Sequence, residues 1–288
     1  ITDVKTNRNY KTIRGNITNY KLVEKLVSNS DAVINFAAES HVDRSISNPR
    51  PFIDSNIYGA YTLLEAVRKH KKRFIQISTD EVFGPAPNGV FYKEWDRYNS
   101  TNPYSASKAA AEEFCVAFEN TYKLPIYITH TMNVFGERQH PEKFIPMTIR
   151  RVRDGDVVYI HSDRTKTIPG SRHYIHAKDV ADALLFILTL DPSAVSDVDY
   201  GGAKCPKFNI VGAEEVNNLE LAQYIAKAQN KELKYEMVDF HSSRPGHDLR
   251  YALSGDYMES LGWKPKISLR DRIKDMVLWS LENDKWLK

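Results

Sequence analysis

The sequence predicts an α/β protein: a doubly wound parallel sheet followed by a smaller α+β unit. Two observations carry that expectation. Three apolar runs, at 32–38, 73–78 and 126–131, read as strands buried on both faces. Segments with helical apolar spacing separate them, which is the β-α-β alternation of a parallel sheet. Composition agrees. The 288 residues are 42% hydrophobic and 27% charged, which excludes a disordered chain, a collagen-like repeat and a disulfide scaffold.

The elements follow in order. Residues 10–13 read as a short strand before Gly15 and Asn16, and 18–29 as a helix through Leu22, Val23, Leu26 and Val27. A helix is expected at 52–70, another at 104–121. Beyond Gly136 the alternation loosens. Helices are expected near 142–154, 178–190 and 218–229, extended segments at 157–161, 174–175, 208–211 and 234–239, and two late helices close the chain. The expected division is a cofactor domain over 1–140, with a return segment near 174–206, and a mainly substrate-binding domain over 141–288.

The net charge of +3, with Lys and Arg spread along the chain, gives no clustered basic face for nucleic acid. No apolar run approaches the ~18 residues of a membrane span, and the first residues carry no apolar signal region. Two cysteines far apart, Cys115 and Cys205, fit a reduced, cytoplasmic protein. Glycine is scarce: 13 in all, where ordinary usage would supply ~20.

In such sheets ligands sit beyond the carboxyl ends of the strands, and the polar strings of this chain fall there. Tyr104 and Lys108 share one helix face. A lysine ammonium beside a phenol favours the phenolate and lowers its ordinary pKa of about 10, which would make Tyr104 a general base. The spacing recurs at Tyr174/Lys178 and Tyr200/Lys204, but only Tyr104 opens a helix of small residues. The strand at 73–78 ends in Ser78, Thr79, Asp80 and Glu81, where adjacent carboxyls push one pKa up and separate an acid from a base. Other strings are 37–45 after the first buried strand, 133–136 with 141–146, Arg172 with Asp179, and 244–251. Arginine suits a diphosphate. On a strand, His173 and His176 point to opposite faces, which opposes a metal site. No G-x-S-x-G elbow is present. Taken singly, each string also fits a surface pair, a helix cap or a solvated turn.

Together the strings AAESHVDRS (37–45), ISTDEVFG (77–84), NPYSASKAAAE (102–112), PEKFIP (141–146) and RPGHDLRYAL (244–253) resemble the extended short-chain dehydrogenase/reductase family, and within it the nucleotide-sugar 4,6-dehydratases. The resemblance runs from about residue 10 to 285 and implies a Rossmann-like fold, an NAD cofactor and a nucleotide-sugar substrate. It implies that Tyr104 deprotonates the sugar C4 hydroxyl. Lys108 would hold the nicotinamide ribose, Thr79 would bond at C4, Glu81 would take the C5 proton, and Asp80 would protonate the departing C6 hydroxyl. Asn16, Ile17, Phe36, Ala37, Ala38, Asn56 and Ser78 fall at cofactor-side positions. His41, Asn133, Lys143, Arg172, Asn209, Arg244, His247 and Tyr251 fall at substrate-side positions. The helices at 55–70 and 104–121 match a homodimer interface.

Three departures stand out. The family's G-x-x-G-x-x-G fingerprint is absent. The resemblance implies that the chain lacks about 45–50 residues holding that loop, which would also explain the few glycines. The usual Asn-Asn-Tyr-Gly-Pro reads Asn133-Val134-Phe135-Gly136-Glu137, and the usual Arg-Asp-Trp reads Arg172-His173-Tyr174 after a longer loop at 163–171. The last two leave dTDP- and UDP-linked sugars open. A C4 epimerase or decarboxylase on the same scaffold, and a non-catalytic sugar-nucleotide-binding protein, remain as alternatives.

Overall fold

The computed structural model describes residues 4, 6–191, 195, 205–239 and 249–288. Four parallel strands form the main sheet in the order β1 (Ala32–Asn35), β2 (Arg73–Thr79), β3 (Ile126–Thr131) and β7 (Lys207–Ile210). Alternate residues of each strand face opposite sides, and each side has its own core. Phe74, Ile126 and Ile128 pack under α1 (Tyr20–Ser28), α4 (Gly59–His70) and α5 (Pro103–Tyr122). On the other side, Ile75, Tyr127, Phe208 and Ile210 pack against α7 (Ala177–Thr189), Met258 of α9 (Asp256–Ser260) and Trp263. Burying each such large apolar side chain contributes about 1.5–3 kcal/mol, so both layers are held firmly to the sheet.

A second group of elements covers the carboxyl edge. Strands β4 (Asn133–Phe135), β6 (Ser171–His176) and β8 (Glu215–Asn217) form a small mixed sheet, and β5 (Val158–Ser162) pairs in parallel with β9 (Tyr235–Asp239). Helices α6 (Phe144–Asp154), α8 (Asn218–Ala228) and α10 (Leu269–Glu282) bury Ile145, Ile149, Leu221, Ile225 and Ile273 against them.

Several expected elements differ. Residues 10–13 are not a strand: Tyr10 and Ile13 are exposed, and the Tyr10 amide makes only a local turn bond to Asn7. The apolar run at 32–38 ends as a strand at Asn35, because the Asn35 side chain bonds to Gln76 at 3.0 Å and turns to accept from the Ala37 amide. The helix at 52–70 is α3 (Arg50–Phe52), a π-helical stretch Ile53–Tyr58, and α4. A π stretch re-aims its side chains, and Asn56 in this one is buried. A short helix, α2 (Val42–Ser47), forms where the sequence gives only a polar string.

Candidate active site

The carboxyl ends of β1, β2 and β3 open into a cleft of about 700 Å³, roofed by the second group of elements. That volume lies within the range of small-molecule sites. Strand β2 delivers Ser78 and Thr79 to its floor. The chain then tightens into a 3₁₀ turn over Asp80–Phe83, with the Thr79 hydroxyl accepting from the Glu81 amide at 3.3 Å. Gly84 ends the turn at φ 74°, in the left-handed region, where a Cβ would lie 2.3 Å from the Asn99 carbonyl oxygen. This sharp exit keeps both carboxyls at the strand end.

Helix α5 brings the second half of the site. Asn102 caps it in a capping box, its Oδ1 accepting from the Ser105 amide, with Pro103 in the first turn. The same Asn102 donates from Nδ2 to Glu81 at 3.1 Å, so the cap also aims the acid. The Ser45 hydroxyl of α2 accepts from the Tyr104 amide at 3.1 Å. Tyr104 and Thr79 share the cleft, and Thr79 donates to Asp80 at 2.9 Å. Lys108, one turn along, donates to the Ile77 carbonyl at 2.6 Å. Thr79, Asp80, Glu81, Tyr104 and Lys108 thus line one cleft.

The electrostatics follow from burial. Asp80 is pushed up to about 6, by burial against the opposing Thr79 bond and Arg172 charge. Glu81 is pushed up to about 7, by burial and then by the Asp80 charge. The Asp80 Oδ2 is buried with no hydrogen-bond partner. Such an atom is costly unless a ligand or proton meets it. Near neutral pH the two carboxyls exchange protons readily, which suits acid–base chemistry. Burial lowers Lys108 to about 8, while Glu112 opposes that. The expected depression of Tyr104 is not found. Burial, then the Glu81 charge, raise it above its ordinary range, and Lys108 bonds to the Ile77 carbonyl.

Other expected residues divide. Phe36, Ala38 and Ser78 line the cleft, and Phe36 is 62% exposed, an apolar residue at the strand end suited to a planar ligand. Ala37 follows on the same strand exit, its amide bonded to Asn35. His41, Asn133, Lys143, Arg172 and Tyr251 also line the cleft. The His41 Nδ1 is buried without a partner, and the Arg172 guanidinium lies 4.7 Å over the Tyr251 ring. Asn16 and Ile17 do not reach it: Asn16 is exposed and bonds to the Thr18 amide, and Ile17 packs on the core against Gly59. Asn56 is buried and fully used, bonding to both backbone groups of Glu39 and to the Ser107 hydroxyl. It pins the loop after β1 to α5. Asn209 is in register with His130 and Ser78 and shares their sheet face, but it is buried there, donating to the Tyr92 and Ser254 carbonyls. Asp179 does not pair with Arg172; it takes Arg272 at 3.0 Å and 2.5 Å. Arg244, His247 and the Tyr200/Lys204 pair lie outside the described residues. Tyr174 bonds to Asn218 and Lys178 to Glu137, so that pair parts at the β6–α7 junction.

The sequence reading missed Asn102, whose Asn-Pro opening of a helix was a legible cap signal, and Gln139, Tyr159, His161 and Asn218 on the roof of the cleft.

The GDP-mannose 4,6 dehydratase family model matches residues 1–276. The chain belongs to that family, and so to the nucleotide-sugar dehydratases. It is 37% identical over 278 residues to the low-salt glycan biosynthesis protein Agl12 of Haloferax volcanii, covering 96% of this chain and 84% of that protein. It is 35% identical over 284 residues to the dTDP-glucose 4,6-dehydratase of Streptomyces niveus, covering 97% of this chain and 78% of that enzyme. The dTDP-glucose 4,6-dehydratase DesIV of Streptomyces venezuelae, solved with NAD bound, superposes with a TM-score of 0.85 at 30% identity, over 100% of this chain and 84% of that one. The family's Rossmann-type architecture is the one described above, with the four-stranded parallel sheet between two helical layers.

Proposed function

We propose that this protein is an NAD-dependent hydro-lyase that converts dTDP-glucose, or UDP-glucose, to the 4-keto-6-deoxy sugar nucleotide. The observation that carries this reading is the convergence of two carboxyls, both raised toward neutrality, with the Tyr104/Lys108 pair in one cleft. Inverting a hydroxyl needs a base; eliminating water also needs an acid at the leaving hydroxyl.

The exposed Phe36, the small residues beside it and Lys108 fit a nicotinamide dinucleotide. A bound NAD would supply hydride chemistry, out of C4 and back into C6, with a proton added at C5 to balance the second transfer. The chain's own residues handle the protons. Tyr104 removes the proton of the C4 hydroxyl while Thr79 holds that oxygen and Lys108 holds the cofactor ribose; the positive charge of an oxidised nicotinamide beside the phenol would offset the burial and the Glu81 charge that raise it. The new 4-ketone acidifies the C5 hydrogen, which Glu81 takes; the Asn102 bond fixes its oxygen for the task. Asp80, buried and with Oδ2 unpartnered, protonates the departing C6 hydroxyl. Lys143 and Arg172, both near enough to stabilise the Glu81 carboxylate, hold the substrate diphosphate. The first sheet forms the cofactor domain, and the elements beyond residue 141 mainly the substrate domain.

We further propose a homodimer through the helices at 55–70 and 104–121, where Tyr58 of the π-helical stretch, Tyr61 of α4 and Phe114 and Tyr122 of α5 are exposed. Two buried free thiols, Cys115 and Cys205, support a reducing, cytoplasmic setting. Among the described residues no helix is long and apolar enough to cross a membrane. The test of function is incubation of the full-length protein with dTDP-glucose and with UDP-glucose, followed by mass spectrometry. Loss of one water is expected from dTDP-glucose. An unchanged mass with inversion at C4 would make the protein an epimerase and overturn the reading.

A further inference from the structure

Behind the cleft lies a polar cluster that the mechanism above does not use. Glu112 is one turn beyond Lys108 on α5 and has no solvent exposure. One of its oxygens accepts from the Ser78 hydroxyl, on the strand that carries Thr79. The other accepts from Tyr98 and, at 2.9 Å, meets the His130 Nε2 on β3. Lys207, on β7, lies 3.8 Å from the same oxygen, bonds to Tyr98, and sits 4.0 Å over the Trp95 ring. The Nδ1 of His130 meets Asn209 Oδ1 at 2.9 Å. Asn209 directs its amide nitrogen to two carbonyls, so both ring nitrogens of His130 face acceptors. One carboxylate therefore ties α5 to three adjacent strands of the sheet.

We propose that Glu112 is a positioning residue for C4 oxidation: its carboxylate locks α5 to Ser78 on β2, holding Tyr104 and Lys108 in register with Thr79. The physical argument is the fixed lever. Lys108 reaches the Ile77 carbonyl, and Tyr104 and Thr79 meet in one cleft, across the same helix–strand contact that the Ser78–Glu112 bond closes. A displacement of about 1 Å at reacting atoms costs on the order of a hundredfold in rate. Glu112 also favours the ammonium form of Lys108 against burial. Besides Glu112, the titratable group bearing on Lys108 is Cys115. Those bearing on Glu112 include His130 and Lys207, with Tyr98 hydrogen-bonded to it.

This inference rests on the proposed function, and the experiment separates the two. Full-length wild type and the variants Glu112→Gln, Tyr98→Phe and Tyr104→Phe are loaded with NAD and given dTDP-glucose. Steady-state kcat and KM are measured, with single-turnover formation of reduced nicotinamide read by near-ultraviolet absorbance. For Glu112→Gln we expect kcat and the single-turnover rate to fall together, by about 10–100-fold, with KM unchanged within about twofold. The alkaline limb of its kcat profile should move to lower pH, since Lys108 loses the charge that supports its ammonium. Tyr98→Phe, which removes one contact to Glu112 from outside the cleft, should show a smaller fall of the same kind. Wild-type kcat and pH profile in Glu112→Gln, or a raised KM at unchanged kcat, would overturn the proposal. Should Glu112→Gln not fold, wild-type kcat in Tyr98→Phe would overturn it alone. If wild type forms no reduced nicotinamide, or Tyr104→Phe is as active as wild type, the functional reading fails instead.

Discussion

The Asp80/Glu81 pair and the single carboxyl of Glu112 lie on either side of one strand end, and their surroundings drive them in opposite directions. Asp80 and Glu81, at the mouth of the cleft, are desolvated without full compensation and are raised to about 6 and about 7. Burial pushes Glu112 upward too, but the His130 charge and hydrogen bond, Lys207 and Ser78 outweigh it and hold it well below the ordinary carboxylate range. The first pair is poised to exchange protons. The second is a permanent anion with its lone pairs taken. Burial alone therefore does not mark an acid for catalysis; incomplete partnering does.

That contrast can be broken experimentally, and the largest effect is expected in the cleft. Glu81→Gln should lower the elimination rate by about 10²–10⁴-fold while leaving C4 oxidation intact. Rapid-quench product analysis would then show reduced nicotinamide accumulating without loss of water. Normal turnover would remove Glu81 from its role. Glu112→Leu should destabilise the fold by about 3–5 kcal/mol, since it leaves Lys207 buried without its anion; urea unfolding measures this. Asp80→Asn should act oppositely. A carboxyl raised on folding binds its proton more tightly in the native state. Wild-type stability therefore falls as pH rises from the unfolded value near 4 to about 6, and the variant escapes that fall. Its advantage should grow across that window to about 1–3 kcal/mol and level off above it. Unfolding at pH 5 and pH 8 checks the sign. Last, Tyr61→Glu on the exposed face of α4 should weaken self-association about tenfold or more by sedimentation, leaving the cleft residues in place.

The parts legible in sequence were those with a local signal. Strands β2 and β3 announced themselves as unbroken apolar runs because both faces are covered. The cleft residues were legible because strand-end position and helix spacing together assign Thr79, Asp80, Glu81, Tyr104 and Lys108 to one edge. Asn56 and Asn209 were legible only as polar residues: an asparagine suits a ligand and a buried backbone clamp equally, and only the fold shows which carbonyls it meets. Glu112 was illegible for a related reason. In sequence it belongs to a charged pair, Glu112-Glu113, on a helix, the usual signature of a solvated face. Its partners Ser78, Tyr98, His130 and Lys207 come from four other segments. The loop before α1 reads as a strand because Tyr10 and Ile13 are β-formers, although no strand among the described residues pairs with them.

The central claim is that one cleft performs oxidation, water loss and reduction on a single sugar without net redox change. It is tested most directly with dTDP-glucose carrying deuterium at C4, turned over by full-length protein with NAD in ordinary water. The account predicts a product one water lighter, with the deuterium retained and now on C6, and a solvent proton at C5. Deuterium lost to solvent, or retained at C4 in a product of unchanged mass, would contradict it.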